Sequence, residues 1–332
     1  METTSPVRPA IEAGDIKRIN ASGTDFAGLY NRKPPWIRIR LAGGREYERI
    51  KELKDNKSFN TVCEAARCPN LAECWGTGHA TFMIMGSTCT RNCRFCGVPG
   101  GSPDQIDQGE PGRVAEAAFR MGLKHTVVTS VTRDDLADGG AGMFATVIRE
   151  IKNCIPEGSV EVLIPDFGGS RGSLGHVIGS APDILGHNVE TVPRLYNLVR
   201  PLARYGRSLA VLSMAKKIDS RLLIKSGFMV GLGEKKEELI RLMKDLRSEG
   251  CDILTIGQYL RPTGEHLPVA RYYTPEEFMS LRKTALDMGF SWVESGPLVR
   301  SSYGAEAQAR ALLPGYHKRG VNSPDNQIAS DR

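Results

Sequence analysis

Six of the eight cysteines of this chain lie in two short clusters. The first cluster, VCEAARCPNLAECW, has the spacing C-x4-C-x5-C at Cys63, Cys68 and Cys74. The second, STCTRNCRFC, has the spacing C-x3-C-x2-C at Cys89, Cys93 and Cys96. In a reducing compartment, clustered cysteines more often bind metal or do redox chemistry than form disulfides. The two clusters therefore predict two metal or redox sites.

Three kinds of site compete for these clusters: structural zinc, an iron–sulfur electron carrier and an iron–sulfur catalyst. Structural zinc takes four protein ligands, often as paired C-x2-C units, and only Cys93 and Cys96 have that spacing. Three thiolates leave one iron of a four-iron cluster without a cysteine. In an electron carrier, an open iron would be exposed to solvent, whereas in a catalyst it can bind a reactant. The spacing therefore favours an iron–sulfur catalyst over an electron carrier or structural zinc.

Three further side chains, one within the second cluster and two outside both, bear on what the clusters hold. Phe95 directly precedes Cys96, where an aromatic ring could pack on a purine or simply make a core contact. Cys154 and Cys251 lie outside both clusters among apolar neighbours. These two cysteines are predicted to be buried packing residues.

The composition of the 332 residues is that of a globular protein, with 40% hydrophobic and 25% charged residues. No apolar run approaches the roughly 18 residues of a membrane span. The net charge of +6 is too mild to indicate nucleic-acid binding, although it would suit an acidic protein partner. The first 20 residues lack the apolar core of a signal peptide, and Glu2, Glu12 and Asp15 argue against a mitochondrial presequence. We expect a cytoplasmic protein without membrane or nucleic-acid partners.

From residue 80 onward, short apolar runs alternate with helical patterns, which is typical of βα units and a parallel sheet. Six strands are predicted, within residues 80–86, 125–131, 159–167, 183–190, 223–233 and 252–260. An open doubly wound sheet is the alternative, but polar clusters at successive strand ends favour a barrel with one site at its rim. The predicted fold is α/β, a partial (β/α)6 TIM-type barrel at 80–295. An N-terminal extension (1–79) carries the first cysteine cluster, and a C-terminal extension (296–332) carries RSSY and a disordered tail from about Leu313.

The motif CTRNCRFC resembles that of the radical S-adenosylmethionine superfamily, whose cluster loop follows the first strand of a partial or complete barrel. Together with VCEAARCPNLAECW, SVTRDDLADGGA, HNVETVPRLY, GFMVGLGE and RSSY, in this order over roughly residues 30–305, it resembles the lipoyl synthase family. Small departures are Ser87, where the family often has Asp, and Gly304, where His is common. Neither removes a ligand.

The resemblance implies two [4Fe–4S] clusters and S-adenosylmethionine as cofactors. The cluster on Cys89, Cys93 and Cys96 would bind S-adenosylmethionine and reduce it to a 5′-deoxyadenosyl radical. The auxiliary cluster would be held by Cys63, Cys68, Cys74 and the Ser302 hydroxyl. It would give up sulfur, which is inserted at C6 and C8 of an octanoyl chain on a carrier lysine. The implied catalytic residues are Cys89, Cys93, Cys96 and Ser302.

The resemblance also implies contacts to S-adenosylmethionine. Asn188 and Glu190 would bind the ribose, and TSVTRDD, with Thr129 and Ser130, would lie near the methionine portion. Gly231 and Gly233 would let the backbone approach the adenosyl group. No individual roles are assigned to LRPTGEHLPVARY (260–272).

The partners implied are octanoylated carriers, namely lipoyl domains of 2-oxoacid dehydrogenases and the glycine cleavage H protein. A reducing partner such as flavodoxin or ferredoxin and a cluster-repair protein are also implied. One rival is a sulfur-inserting enzyme resembling biotin synthase, although its auxiliary cysteines are dispersed along the barrel instead of preceding it. A second rival is a non-catalytic iron–sulfur carrier or scaffold, which cleavage of S-adenosylmethionine would exclude.

Overall fold

The structure, a computed structural model, describes residues 33–39, 41, 43–57 and 59–316. Of the tail predicted to be disordered from about Leu313, residues 317–332 lie outside the described residues, whereas residues 313–316 are described and Tyr316 is buried. Among the described residues, no helix is long and apolar enough to cross a membrane.

One sheet of eight strands, in the order β1 to β8, organises the described chain. β1 pairs antiparallel with β2, and every later pair is parallel. The strands are β1 (Asn60–Thr61), β2 (Thr81–Ile84), β3 (His125–Ser130), β4 (Ser159–Leu163), β5 (Ile184–Gly186), β6 (Leu223–Val230), β7 (Ile253–Gln258) and β8 (Trp292–Gly296). The sheet confirms the predicted α/β class and partial barrel.

The six predicted strands correspond to β2–β7, and the sheet has two strands more. β8 continues the parallel sheet next to β7, and β1 is a two-residue strand next to β2. In β8 only Val293 is buried, whereas every residue of β2 and β7 is buried. The sequence of β8 therefore lacks the continuous apolar run of a strand that is covered on both faces.

Helices precede and follow the strands along the chain. They are α1 (Arg45–Lys57), α2 (Val62–Ala65), α3 (Leu71–Gly76), α4 (Glu110–Arg120), α5 (Ala141–Cys154), α6 (Arg171–Gly179), α7 (Tyr196–Val199), α8 (Tyr205–Ile218), α9 (Lys236–Ser248), α10 (Pro275–Asp287) and α11 (Ala305–Leu312). In α9 the buried residues are Leu239, Leu242, Met243 and Leu246, at the spacing that places side chains on one helix face. The Thr274 side chain caps α10, and Glu277 completes the capping box.

The two cysteines outside the clusters have different surroundings. Cys251 is fully buried, as predicted. Cys154 is exposed, so its predicted burial is wrong. It is the last residue of α5, and the following residue, Ile155, is buried as the chain turns towards β4. The end of the helix therefore leaves the cysteine in solvent.

Candidate active site

A cavity of about 460 Å³ lies where the parallel strands end, and both cysteine clusters reach it. Its wall includes Cys63, Cys68, Cys89, Cys93, Cys96 and Ser302. Cys74 does not line the cavity, although it lies near its two partners in the first cluster. Cys74 and Cys89 are 15 positions apart in the sequence. The two cysteine clusters thus meet at one cavity, together with Ser302 from the C-terminal extension.

The loop that carries the second cluster follows β2 and is folded back on itself. The Cys89 amide donates to the Pro99 carbonyl at 2.8 Å, and the Gly101 amide donates to the Cys89 carbonyl at 2.9 Å. The amides of Arg91 and Thr132 lie 3.4 and 3.3 Å from the Cys89 sulfur and donate to it. These two bonds fix the position of the Cys89 sulfur.

Arg91 joins this loop to the ends of two strands. Its guanidinium donates to both carboxylate oxygens of Asp134 at 2.7 and 2.8 Å, and to Asp166 at 2.7 Å. Arg207 also donates to Asp166, at 2.8 Å. Burial alone would raise the pKa of Asp166, but the bond and charge of Arg91 outweigh it and lower the pKa to about 2. The arginine thereby fixes the loop between Cys89 and Cys93.

His266 holds the other end of the same loop. Its Nε2 lies 2.8 Å from the Cys96 carbonyl, and its Nδ1 lies 2.8 Å from the Thr263 hydroxyl. Because a carbonyl only accepts, Nε2 donates and Nδ1 accepts from Thr263. The Leu267 amide donates to the Arg94 carbonyl at 3.1 Å. The segment LRPTGEHLPVARY, to which the sequence assigned no role, therefore supports the second cysteine cluster.

The first cluster lies on two short helices, α2 and α3, and on the turn between them. The Cys68 amide donates to the Cys63 carbonyl at 2.9 Å, which closes the turn after α2. The side chain of Asn70 donates to the Leu298 carbonyl at 2.6 Å and ties this segment to the C-terminal extension. Burial and the nearby charges of Cys63 and Cys68 raise the pKa of Cys74 to about 12. The Cys74 thiol therefore lies near those of Cys63 and Cys68.

Ser302 reaches the cavity because the chain after β8 runs back to the start of β2. Thr81, at the start of β2, donates to the Ser302 hydroxyl at 2.8 Å. Tyr303 donates to Glu73 of α3 at 3.3 Å. The predicted approach of the RSSY motif to the first cysteine cluster is thus present in the structure.

Five residues predicted to contact S-adenosylmethionine line the cavity: Phe95, Thr129, Ser130, Asn188 and Glu190. The Asn188 amide donates to Ser301 at 2.5 Å, which also brings RSSY to the end of β5. Glu190 follows in a left-handed conformation, φ +69°, and burial raises its pKa although Arg200 opposes the shift.

Gly231 and Gly233 do not line the cavity. A Cβ on Gly231 would lie 2.1 Å from Gln258 Nε2, and its φ is +99°, so glycine is required by packing and by conformation. Its amide donates to Glu234 at 2.7 Å. The predicted role of these glycines beside the adenosyl group gains no support from the cavity.

The sequence did not point to any of the five arginines of the cavity wall, and two of them, Arg200 and Arg300, lie beside predicted site residues. Arg200 is buried and donates to the Asn188 carbonyl and to the Tyr196 hydroxyl, both at 2.9 Å. Arg300, in RSSY, lies near Cys68 and Glu190, and its charge opposes the rise that burial causes in the pKa of each. The RSSY motif marked the segment of Arg300 but not the position of its side chain, and nothing in the sequence marked Arg200. The two cations can neutralise anionic ligands in the cavity.

The donor sets fit clusters better than a single metal ion. Among the described residues of 33–316, no three side chains of Cys, His, Asp or Glu lie close enough together to bind a single metal ion. In a four-iron cluster each cysteine binds a different iron, so the ligands surround a cubane and need not converge on a point. Burial raises the pKa of Cys63 to about 11 and of Cys96 to about 12, so cationic iron is what would hold these sulfurs as thiolates.

A C-x3-C-x2-C loop after the first parallel strand of a partial barrel, facing the strand ends, defines a radical S-adenosylmethionine protein. The Radical SAM superfamily model matches residues 83–246. The chain belongs, within that class, to the lipoyl synthase family. It is 58% identical to a lipoyl synthase of Rubrobacter xylanophilus over 83% of this chain and 86% of the relative. It is 54% identical to one of Caldanaerobacter subterraneus (83% and 96%) and 51% identical to one of Bacillus cereus (85% and 95%).

Solved structures show the same fold at low sequence identity. The crystal structure of methylornithine synthase gives a TM-score of 0.50 at 13% identity, covering 84% of this chain and 96% of that one. SuiB of Streptococcus suis bound to the precursor peptide SuiA gives 0.51 at 10% identity, covering 90% and 62%. These similarities concern the fold alone.

Proposed function

We propose that this protein converts an octanoyl group on a carrier-protein lysine into the lipoyl group, inserting one sulfur atom at C6 and one at C8. The observation that carries the proposal is the meeting of two cysteine clusters and Ser302 at one cavity. Attack on an unactivated C–H bond is beyond any acid, base or thiolate of the chain, so cofactors must supply that chemistry.

Two [4Fe–4S] clusters would be held here, one by Cys89, Cys93 and Cys96, the other by Cys63, Cys68, Cys74 and Ser302. When bound, the first would supply an adenosyl radical from S-adenosylmethionine, and the second the sulfur. The protein's own residues position these groups and the substrate. Arg91 and His266 hold the loop of the second cysteine cluster, and Asn70 holds that of the first to the C-terminal extension.

The rest of the wall suits an alkyl chain. Apolar side chains of the barrel interior and the mouth line the cavity: Met83, Val127, Phe228, Leu260 and Val299. Its volume of about 460 Å³ lies within the roughly 300–1,000 Å³ usual for small-molecule sites. Such a wall excludes water and other hydrogen donors from a reactive chain and places it between the two sets of cysteines.

The substrates are octanoylated lipoyl domains or the H protein, a flavodoxin or ferredoxin supplies electrons, and a repair protein rebuilds the spent cluster. The reaction takes place in the cytoplasm. We propose that the chain has three parts. An N-terminal extension (1–79) supplies Cys63, a barrel spans residues 80–295, and a C-terminal extension (296–332) supplies Ser302.

The test is an anaerobic reaction of reconstituted protein with an octanoylated lipoyl domain, S-adenosylmethionine and a strong reductant. Mass spectrometry of the carrier should show two added sulfur atoms, together with 5′-deoxyadenosine in solution. Cleavage of S-adenosylmethionine without sulfur on the carrier would contradict the proposed reaction. No cleavage at all would point to the non-catalytic carrier.

A further inference from the structure

The exposed part of the cavity wall is strongly basic. Among the residues that line the cavity, four are exposed: Lys33, Ile39, Arg67 and Arg261. We call these four residues the cavity rim. Three of them are cations and the fourth is apolar.

Among the described residues that line the cavity, no carboxylate lies at the rim. The lining contains two carboxylates, Glu161 and Glu190, and neither is exposed. Glu161 accepts from Lys225 at 2.7 Å deep in the barrel, and Glu190 lies near Arg200. In the part of the chain that the structure describes, neither Lys33 nor Arg67 has a carboxylate within 4.0 Å, and Arg261 donates to the carbonyls of Gly264 and His266. The positive charge of the rim therefore faces solvent.

Arg67 is held in an unusual conformation. It lies directly before Cys68 with φ +51°, in the left-handed region that favours glycine. Its amide donates to the Glu64 carbonyl at 2.9 Å, which fixes the turn between Cys63 and Cys68. A glycine would make this turn without strain. Strained residues of this kind are concentrated at functional sites, and here the strained side chain is an exposed cation at the mouth of the site.

A second exposed apolar side chain, Trp36, lies three residues before Ile39 in the chain. Ile39 is 45% exposed and Trp36 is 39% exposed, with its indole nitrogen donating to the Tyr273 carbonyl at 3.1 Å. An apolar spot beside unpaired cations is the composition of a protein-binding surface, in which charge guides the encounter and apolar contact retains the partner.

We propose that the cavity rim is the docking surface for the carrier protein, and that it selects carriers whose modified lysine is surrounded by an acidic surface. This inference rests on the proposed function, which requires a protein-bound chain to enter the cavity. The rim cations would attract the acidic surface, while the lysine with its octanoyl group passes between them into the cavity.

The experiment measures binding of an octanoylated acidic lipoyl domain at several salt concentrations. Binding of an uncharged octanoyl-lysine peptide is measured in the same way for comparison. The variant is Lys33→Glu with Arg67→Glu. The matched control is Arg221→Glu, an exposed arginine just before β6, at the opposite end of the barrel. Arg67→Gly relieves the strain while removing the charge, and Lys33→Glu alone leaves the cysteine loop untouched. Iron content after reconstitution checks that each variant holds its clusters.

At low salt the double variant should associate with the lipoyl domain about tenfold more slowly than wild type. Lys33→Glu and Arg67→Gly should each show part of this loss, Arg221→Glu none, and the difference should vanish at high salt. The docking inference is overturned if the variants bind the lipoyl domain as wild type does, or if Arg221→Glu is equally impaired. It is also overturned if affinity for the peptide and for the domain falls by the same factor. If wild type converts neither substrate, the proposed function fails instead.

Discussion

Thr81 Oγ1 donates a hydrogen bond to Ser302 Oγ at 2.8 Å, across 221 positions of the chain. The bond joins the start of the first parallel strand to the RSSY motif and keeps the serine oxygen on the wall that Cys63 and Cys68 also line. An oxygen ligand is harder than a thiolate and exchanges more readily on iron. We therefore expect Ser302 to be the ligand that a sulfur-donating cluster releases.

Replacement of Ser302 should change the lifetime of the auxiliary cluster in opposite directions. Ser302→Ala removes the fourth ligand and should speed iron loss to a chelator, whereas Ser302→Cys should slow it and delay lipoyl formation. Thr81→Val keeps the serine but removes its hydrogen-bond donor, and should weaken iron binding about tenfold. Iron release is followed optically under anaerobic conditions. Equal rates in the alanine, cysteine and wild-type proteins would show that Ser302 is not a ligand.

Arg91 should stabilise the loop of the second cysteine cluster even without iron. Arg91→Met leaves Asp166, which is fully buried, with Arg207 as its remaining ionic partner. Loss of one partner of a buried pair should lower the free energy of unfolding by about 3 kcal/mol. Arg207→Met is the matched control and should cost less, because the Arg207 side chain is partly exposed. Urea unfolding of the apoprotein and hydrogen exchange over residues 87–99 measure both effects. A change confined to Arg207→Met would contradict this ranking.

His79 Nε2 lies 2.7 Å from a carboxylate oxygen of Glu306. This ion pair should make the free energy of unfolding depend on pH. The bond to Glu306 raises the pKa of His79, so its contribution is complete below about pH 6.5 and is lost as the pH rises through the folded-state value. His79 lowers the pKa of Glu306 to about 2, so that contribution is complete above about pH 4.5 and is lost in acid. The pair therefore stabilises the protein most between these two pH values.

His79→Gln should destabilise the protein by about 0.5 kcal/mol near pH 6, because both partners are partly exposed. The difference from wild type should disappear by about pH 9. Urea unfolding at the two pH values measures it, and Glu306→Gln is the reciprocal control. A difference that persists unchanged at high pH would mean that the histidine acts through packing and not through charge.

The two cysteines outside the clusters should behave differently. Cys251→Ala removes a fully buried sulfur and should cost about 1–2 kcal/mol, whereas Cys154→Ala, at an exposed helix end, should cost less than about 0.5 kcal/mol. Neither should alter iron content after reconstitution. Thermal unfolding and iron analysis of both variants test this, and loss of a whole cluster in either would mean that the ligand set has been misassigned.

The sequence predicted the parts of this molecule that depend on local spacing and periodicity. Each of the six predicted segments contains a strand, and the three-cysteine loop follows the first of them. Strand β8 was missed because only Val293 is buried in it. The support from Arg91 and His266 was missed because their partners, Asp166 and Cys96, are 75 and 170 positions away. The exposure of Cys154 depends on where α5 ends, which helix periodicity does not fix.

The central claim is that the two cysteine clusters serve separate purposes, one in cleaving S-adenosylmethionine and one in supplying sulfur. The most direct test uses a variant in which Cys63, Cys68 and Cys74 are replaced with Ala. The reconstituted variant is incubated with octanoylated carrier, reductant and S-adenosylmethionine. Both 5′-deoxyadenosine and sulfur on the carrier are measured in the same reaction. The matched control replaces Cys89, Cys93 and Cys96. We predict 5′-deoxyadenosine without lipoyl product in the first variant, and neither in the second. Lipoyl product at wild-type yield from the first variant, or 5′-deoxyadenosine from the second, would contradict the account.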